Sequence, residues 1–213
     1  MGAVSPIAST HGGLPVDVGY ASRPIAGASV SGDHHTLVAF PGGVLIVVVD
    51  GLGHGEDAAV AARLAIATVE ESADQPLRVL FERCNSALNR TRGAVMSAAT
   101  IDTATQIMTW AAIGNVDASL FRAGTNGQRR RDAIVMVGGV IGSRLPTIRL
   151  ASLKIDRGDT LVMATDGIGV DFGSRITQAQ TPQALANDIM AHCGKTNDDA
   201  LVVVARWRGG SHL

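Results

Sequence analysis

Four times in this 213-residue chain, a strand-like apolar run meets an acid at one of its ends. Residues 44–49, which read VLIVVV, run into Asp50-Gly51-Leu52-Gly53-His54-Gly55, and residues 161–165 run into Asp166-Gly167. Ser31-Gly32-Asp33 precedes a third such run, and Asn197-Asp198-Asp199 opens the last. Turn chemistry needs fewer acids than this. Carboxylates are hard oxygen ligands, and several brought to one sheet edge repel one another unless divalent cations offset their charge, so the pattern points to a magnesium or manganese site.

The rest of the chain predicts a sheet-rich frame for those acids. Strands are expected over 16–23, 37–40 and 44–49, separated by Gly, Pro and Asp signals. Ala58, Ala62, Ala65, Ile66 and Val69 then recur at helical spacing behind Glu56 and Asp57, acids that suit a helix N-terminus. A second helix is expected from about Pro76, with Leu77, Leu80, Phe81, Cys84 and Leu88 on one side. Residues 95–101, 106–113 and 116–122 read as an antiparallel meander broken at 102–105 and at Gly114-Asn115. Beyond a polar loop over 124–132, strands are expected near 134–137, 148–154 and 160–165. A last helix begins at Thr181-Pro182 and stops near Gly194, and residues 201–207 form the closing strand. Strands and helices do not alternate as βαβ units do, so the expected class is α+β: two antiparallel sheets with helices packed outside.

Composition narrows the function classes. A hydrophobic fraction of 46% allows one large domain, expected over 15–208, with flexible ends at 1–14 and 209–213. Eighteen basic against 19 acidic residues leave a net charge of −1, so no global field draws the chain to nucleic acid or to a membrane. The N-terminus has neither a basic stretch nor a sustained apolar one, and no apolar run approaches the roughly 20 residues of a membrane span. A cytoplasmic protein is expected. Cys84 and Cys193 lack metal-type spacing and read as buried thiols.

Taken in order, Gly32-Asp33, Asp50-Gly51-Leu52-Gly53-His54-Gly55, Gly158-Asp159 with Thr165-Asp166-Gly167, and Asp198-Asp199 before the terminal strand resemble the motifs of the metal-dependent protein phosphatase 2C family. The resemblance is to its SpoIIE-like bacterial branch, especially the small stand-alone phosphatases of stressosome and partner-switching pathways, and it covers about residues 16–207. It implies a four-layer αββα sandwich with two Mn²⁺ or Mg²⁺ ions between the sheets. By similarity, Asp50 would bridge the ions, the Gly51 carbonyl would bind one, Asp33 would serve one directly or through water, and Asp166 and Asp198 would ligate the other. Two ions about 4 Å apart would activate a bound water for in-line attack on phosphorus, with no protein nucleophile.

Several residues carry competing readings. Asp198 and Asp199 compete for one ligand position; the family's motif order favours Asp198 and leaves Asp199 to support it from behind. His54 is a candidate general acid, against which stands a capping or surface role on its glycine turn. Asp159 and Asp171 read as turn acids, and His34 and His35 as the start of a strand. Arg129-Arg130-Arg131 reads as a solvated charge run outside the site. Larger relatives carry a phosphate-gripping arginine just ahead of the first acidic motif, but residues 27–31 contain none and Arg23 is distant, which leaves phosphate to the metals. Asn115 stands where some relatives use an Asp for a third metal, and a neutral amide does not favour such a site.

With no sensor segment expected ahead of the core, the resemblance implies a feedback phosphatase. Its substrate would be a phosphoserine or phosphothreonine on a STAS-domain scaffold or antagonist protein. The alternatives are a catalytically silent binding module, which would have no reason to keep so many acids together, and a phosphoesterase for small molecules, for which no nucleotide-cradling Gly-rich loop is present.

Overall fold

The computed structural model describes residues 14–124 and 130–209. Strand β3 (Gly43–Gly51) carries the VLIVVV run, and each of its six apolar residues is at most 1% exposed. The strand's two-residue period divides them between two cores. Val44, Ile46 and Val48 enter a cluster between the sheets, while Leu45, Val47 and Val49 enter a cluster beneath two helices. A run that is apolar at every position is what a strand covered on both faces requires.

Around β3 the chain builds two five-stranded sheets, with every ladder between named strands antiparallel. The first sheet joins β2 (Asp33–Phe40), β3, β4 (Ala94–Asp102), β5 (Ile107–Ile113) and β8 (Ala151–Lys154) in that order. The second runs β1 (Val16–Arg23), β10 (Ala200–Trp207), β9 (Thr160–Ala164), β6 (Asp117–Phe121) and β7 (Arg131–Ala133). Helices α1 (Glu56–Glu70) and α2 (Leu77–Ala87) cover the first sheet, and α3 (Pro182–Cys193) covers the second. The architecture is the four-layer αββα sandwich. Thr181 caps α3 by accepting a hydrogen bond from the Ala184 amide at 3.2 Å, with Pro182 at the first helical turn.

Several expectations need correction. Residues 95–122 do not form one meander: β4 and β5 pair, but at Gly114-Asn115 the chain leaves the first sheet and β6 joins the second. Sheet membership after a two-residue break is decided by tertiary packing, not by the composition of the strand that follows. The strand expected near 134–137 is instead the three-residue β7 at 131–133, followed by a lone bridge from Val137 to Ile113. β2 starts at Asp33, four residues early, because it pairs with the whole of β3. A 3-10 helix (Val170–Arg175) that has no apolar periodicity follows the Asp166 loop and contains Asp171. Pro76 caps α2 from outside, and Cys193 is only half-buried, unlike Cys84. Of the ends expected to be flexible, all but Leu14 and Gly209 lie outside the described residues; Leu14 packs against the inter-sheet core.

Asp159 is more than a turn acid. It is 2% exposed; its Oδ2 accepts from Arg122 Nη1 at 2.9 Å and from the Asp156 amide at 3.0 Å, while its Oδ1 accepts from the Ala123 amide at 2.8 Å. Arg122 also donates to Asp132 at 2.6 Å and to the Lys154 carbonyl at 2.7 Å, tying β6, β7 and the β8–β9 turn together. Removing one partner strands a buried charge, so Arg122→Ala is expected to cost about 3 kcal/mol. Urea unfolding measures it, and a loss below about 1 kcal/mol would show that water replaces the arginine.

Candidate metal centre

The acids gather where the two sheets face each other. Asp33 and Asp50 are direct cross-strand partners in β2 and β3, and since Ile46 and Val48 on the same face enter the inter-sheet core, both carboxylates turn towards the second sheet. Thr165, at the end of β9, donates its hydroxyl to Asp33 Oδ2 at 2.7 Å. That hydroxyl in turn accepts from the Leu201 amide at 2.9 Å, so Asp33 is fixed to both sheets. Asp166 follows at the exposed rim, where its Oδ2 accepts from Asn115 Nδ2 at 2.6 Å and its main-chain carbonyl accepts from Lys195 Nζ at 2.7 Å.

Asp198 and Asp199 have different surroundings. Both oxygens of Asp199, which is 4% exposed, are engaged by main-chain amides, Ile25 at 2.7 Å and Gly32 at 2.7 Å. Asp199 thus holds the segment that delivers Asp33. Asp198 is half-buried, and the hydrogen bond it accepts from the Asp199 amide at 2.9 Å engages Oδ1 alone. Close backbone packing sets the spacing. A β-carbon at Gly51 would overlap the Ala58 carbonyl of α1, and one at Gly167 would overlap the Asp199 carbonyl, so Asp50 and Asp166 must each be followed by glycine. The Ala58 methyl also lies against Gly32, beside Asp33.

Burial and repulsion from neighbouring carboxylates raise the proton affinity of Asp33, Asp50 and Asp198. Burial first, then Asp50 above the other acids, pushes Asp33 up to about 8 against the opposing pull of Thr165. Burial, then Asp166, Asp198 and Asp199, pushes Asp50 up to about 7. Asp198 is also raised, by burial and then by Asp166. None of the five acids takes part in an ion pair among the described residues. Among those residues no three acidic, histidine or cysteine side chains close on a single point; the acids line an open bowl, with Asp33 at its floor and Asp166 at its rim. An all-oxygen, uncompensated set of carboxylates fits a hard divalent cation.

Two of the histidines are engaged by their own surroundings. His35 packs against the Tyr20 ring at a centroid distance of 4.2 Å, and burial with the neighbouring His34 lowers it to about 4, so it stays neutral. His34 Nδ1 hydrogen-bonds the Asp33 carbonyl at 2.6 Å. His54 is exposed on its glycine turn. Of the arginine run, Arg129 lies outside the described residues. Arg131 is no free charge: it pairs with Asp117 at 3.1 Å and lies over the Phe121 and Phe172 rings. The sequence reading passed over Lys195, a lone lysine in a polar loop with no motif to mark it.

Residues 41–208 match the family described as Stage II sporulation protein E (SpoIIE). The chain is 24% identical over 181 residues to the phosphoserine phosphatase RsbX of Bacillus subtilis (strain 168), covering 84% of this chain and 89% of that protein. A solved structure of RsbX in complex with magnesium superposes with a TM-score of 0.81 at 22% identity, over 90% of this chain and 94% of the other. A second, from the bacterial stressosome described as a modular system adapted to control secondary messenger signaling, gives 0.81 at 29% identity, over 90% and 99%. The chain belongs to the SpoIIE family. Its fold is that of the protein phosphatase 2C domain. Among the described residues no helix is long and apolar enough to cross a membrane.

The raised carboxylates give a signed pH dependence. A folded-state value above the unfolded one means that the native state holds the proton longer, so this stabilisation is present below about pH 4 and is lost as pH rises through about 7 and 8. Metal-free protein should therefore lose melting temperature across that window, and Asp33→Asn should flatten the loss. A melting temperature that rises from pH 5 to 8 equally in both proteins would contradict the repulsion.

Proposed function

We propose that this chain is a metal-dependent phosphoprotein phosphatase, a single domain over 15–208 working in the cytoplasm. It would remove phosphate from a phosphoserine or phosphothreonine of a STAS-domain scaffold or antagonist. The observation that carries the reading is the set of uncompensated carboxylates between the sheets. Asp50, the Gly51 carbonyl, Asp166 and Asp198 would hold two divalent ions, Mn²⁺ or Mg²⁺, with Asp33 serving one directly or through water. When bound, the ions supply a nucleophilic water at neutral pH and screen the phosphoryl oxygens.

The chain's own residues do the preparatory work. Thr165 and Asp199 keep Asp33 and its approach segment rigid, and Asn115 occupies one oxygen of Asp166 and so sets the direction of the other. No side chain has to act as nucleophile. The activity of RsbX as a phosphoserine phosphatase supports the substrate chemistry, and the stressosome structure supports a signalling protein as partner.

Metal removal is the first test. Hydrolysis of a phosphate ester should need Mn²⁺ or Mg²⁺, and full turnover after exhaustive EDTA treatment and dialysis would sink the mechanism. Asp50→Asn, Asp166→Asn and Asp198→Asn should each abolish turnover while metal-free melting temperature holds or rises. A wild-type rate for Asp198→Asn beside a dead, still folded Asp199→Asn would reverse the assignment of that pair. For the substrate, kcat/KM on a folded phosphorylated STAS-domain protein should exceed that on p-nitrophenyl phosphate by at least about 100-fold, roughly 2.8 kcal/mol of selective binding. Equal efficiency on both would favour a general phosphoesterase, and binding without turnover would favour a silent module.

A further inference from the structure

The ammonium of Lys195 is held at the rim of the acidic bowl. Its loop is laced to the Asp166 loop by main-chain hydrogen bonds: the Lys195 amide donates to the Gly167 carbonyl at 2.8 Å, and the Gly169 amide donates to the Cys193 carbonyl at 2.7 Å. Arg23 fastens the same loop from the other side, donating to the Lys195 carbonyl at 2.6 Å. The backbone that carries the lysine is therefore fixed. Its Nζ donates to the Asp166 carbonyl at 2.7 Å, and its charge is close enough to oppose the rise in the proton affinity of Asp198.

An ammonium has three donors. Among the described residues one of them is used, and Lys195 forms no ion pair, which leaves two N–H groups facing solvent beside two candidate metal ligands. The well-anchored arginines contrast with it: Arg122, Arg131, Arg175 and Arg206 are spent on carboxylates, carbonyls or hydroxyls away from the bowl. Residues 27–31 supply no cation.

We propose that Lys195 is a substrate-binding residue that donates its free N–H groups to the oxygens of the phosphoryl group. This rests on the proposed phosphatase reading for its substrate, although the anion site itself can be tested without turnover. A point charge with rotatable donors suits a phosphoryl group whose oxygens redistribute charge during the reaction.

The test compares wild type with Lys195→Met and Lys195→Arg, using inorganic phosphate and p-nitrophenyl phosphate. Calorimetry on Mn²⁺-loaded protein should give phosphate binding about ten-fold weaker in Lys195→Met, with Lys195→Arg recovering most of it. In steady-state kinetics the Lys195→Met KM should rise by a similar factor, by more than kcat falls. Mn²⁺ affinity without phosphate should hold or tighten, since a positive charge has left the bowl. Unchanged phosphate affinity in Lys195→Met overturns the proposal. So does weaker Mn²⁺ binding with phosphate affinity otherwise intact, which would make the lysine a prop for Asp166. If wild type binds phosphate through Lys195 but hydrolyses no phosphate ester with either metal, the anion site stands and the phosphatase reading falls.

Discussion

The repulsion between Asp33 and Asp50, opposed across adjacent strands and turned into the space between two sheets, is the constraint around which the fold is organised. Like charges directly opposite each other weaken a ladder, and burial compounds the cost. The structure offsets that cost with precise support. The Thr165 hydroxyl crosses from the second sheet, Asp199 secures the approach to Asp33, and the β3 residues behind Asp50 are buried on both faces. Rigid strands on two sheets then hold the remaining acids at the same opening.

Much of this was legible in the sequence because two simple signals coincide. Runs such as 44–49 and 201–207 can be little other than covered strands, and an acid at the end of such a run has few structural reasons to be there. Their order along the chain was sufficient to imply the family. What escaped depends on contacts between distant segments. Nothing local to 116–122 says which sheet it joins. Asp159 reads like any turn acid until Arg122 is found beside it, and Asp198 and Asp199 differ only in where the main-chain amides of Ile25 and Gly32 lie.

The switch of sheets at Gly114-Asn115 shows how topology and chemistry are joined. Because the chain passes from β5 to β6 at the mouth of the bowl, the side chain at the crossing meets Asp166, and an amide there donates where a carboxylate would add another repulsion. The centre consequently has fewer uncompensated charges than its position would permit. Lys195 lies on the other side of the same acid, so Asp166 is gripped through its main chain and its side chain by residues from two different loops.

Ala58 has no functional group, yet its carbonyl abuts Gly51 and its methyl abuts Gly32, the neighbours of Asp50 and Asp33. The Ala58 methyl beside Gly32 and the Ala58 main chain beside Gly51 together set how closely α1 approaches the two acids. A bulkier side chain there would push the helix away from Gly32, and shift the acids beside it, while leaving every carboxylate chemically intact. A description of this region by its carboxylates alone has no place for this alanine, although its size sets where they stand.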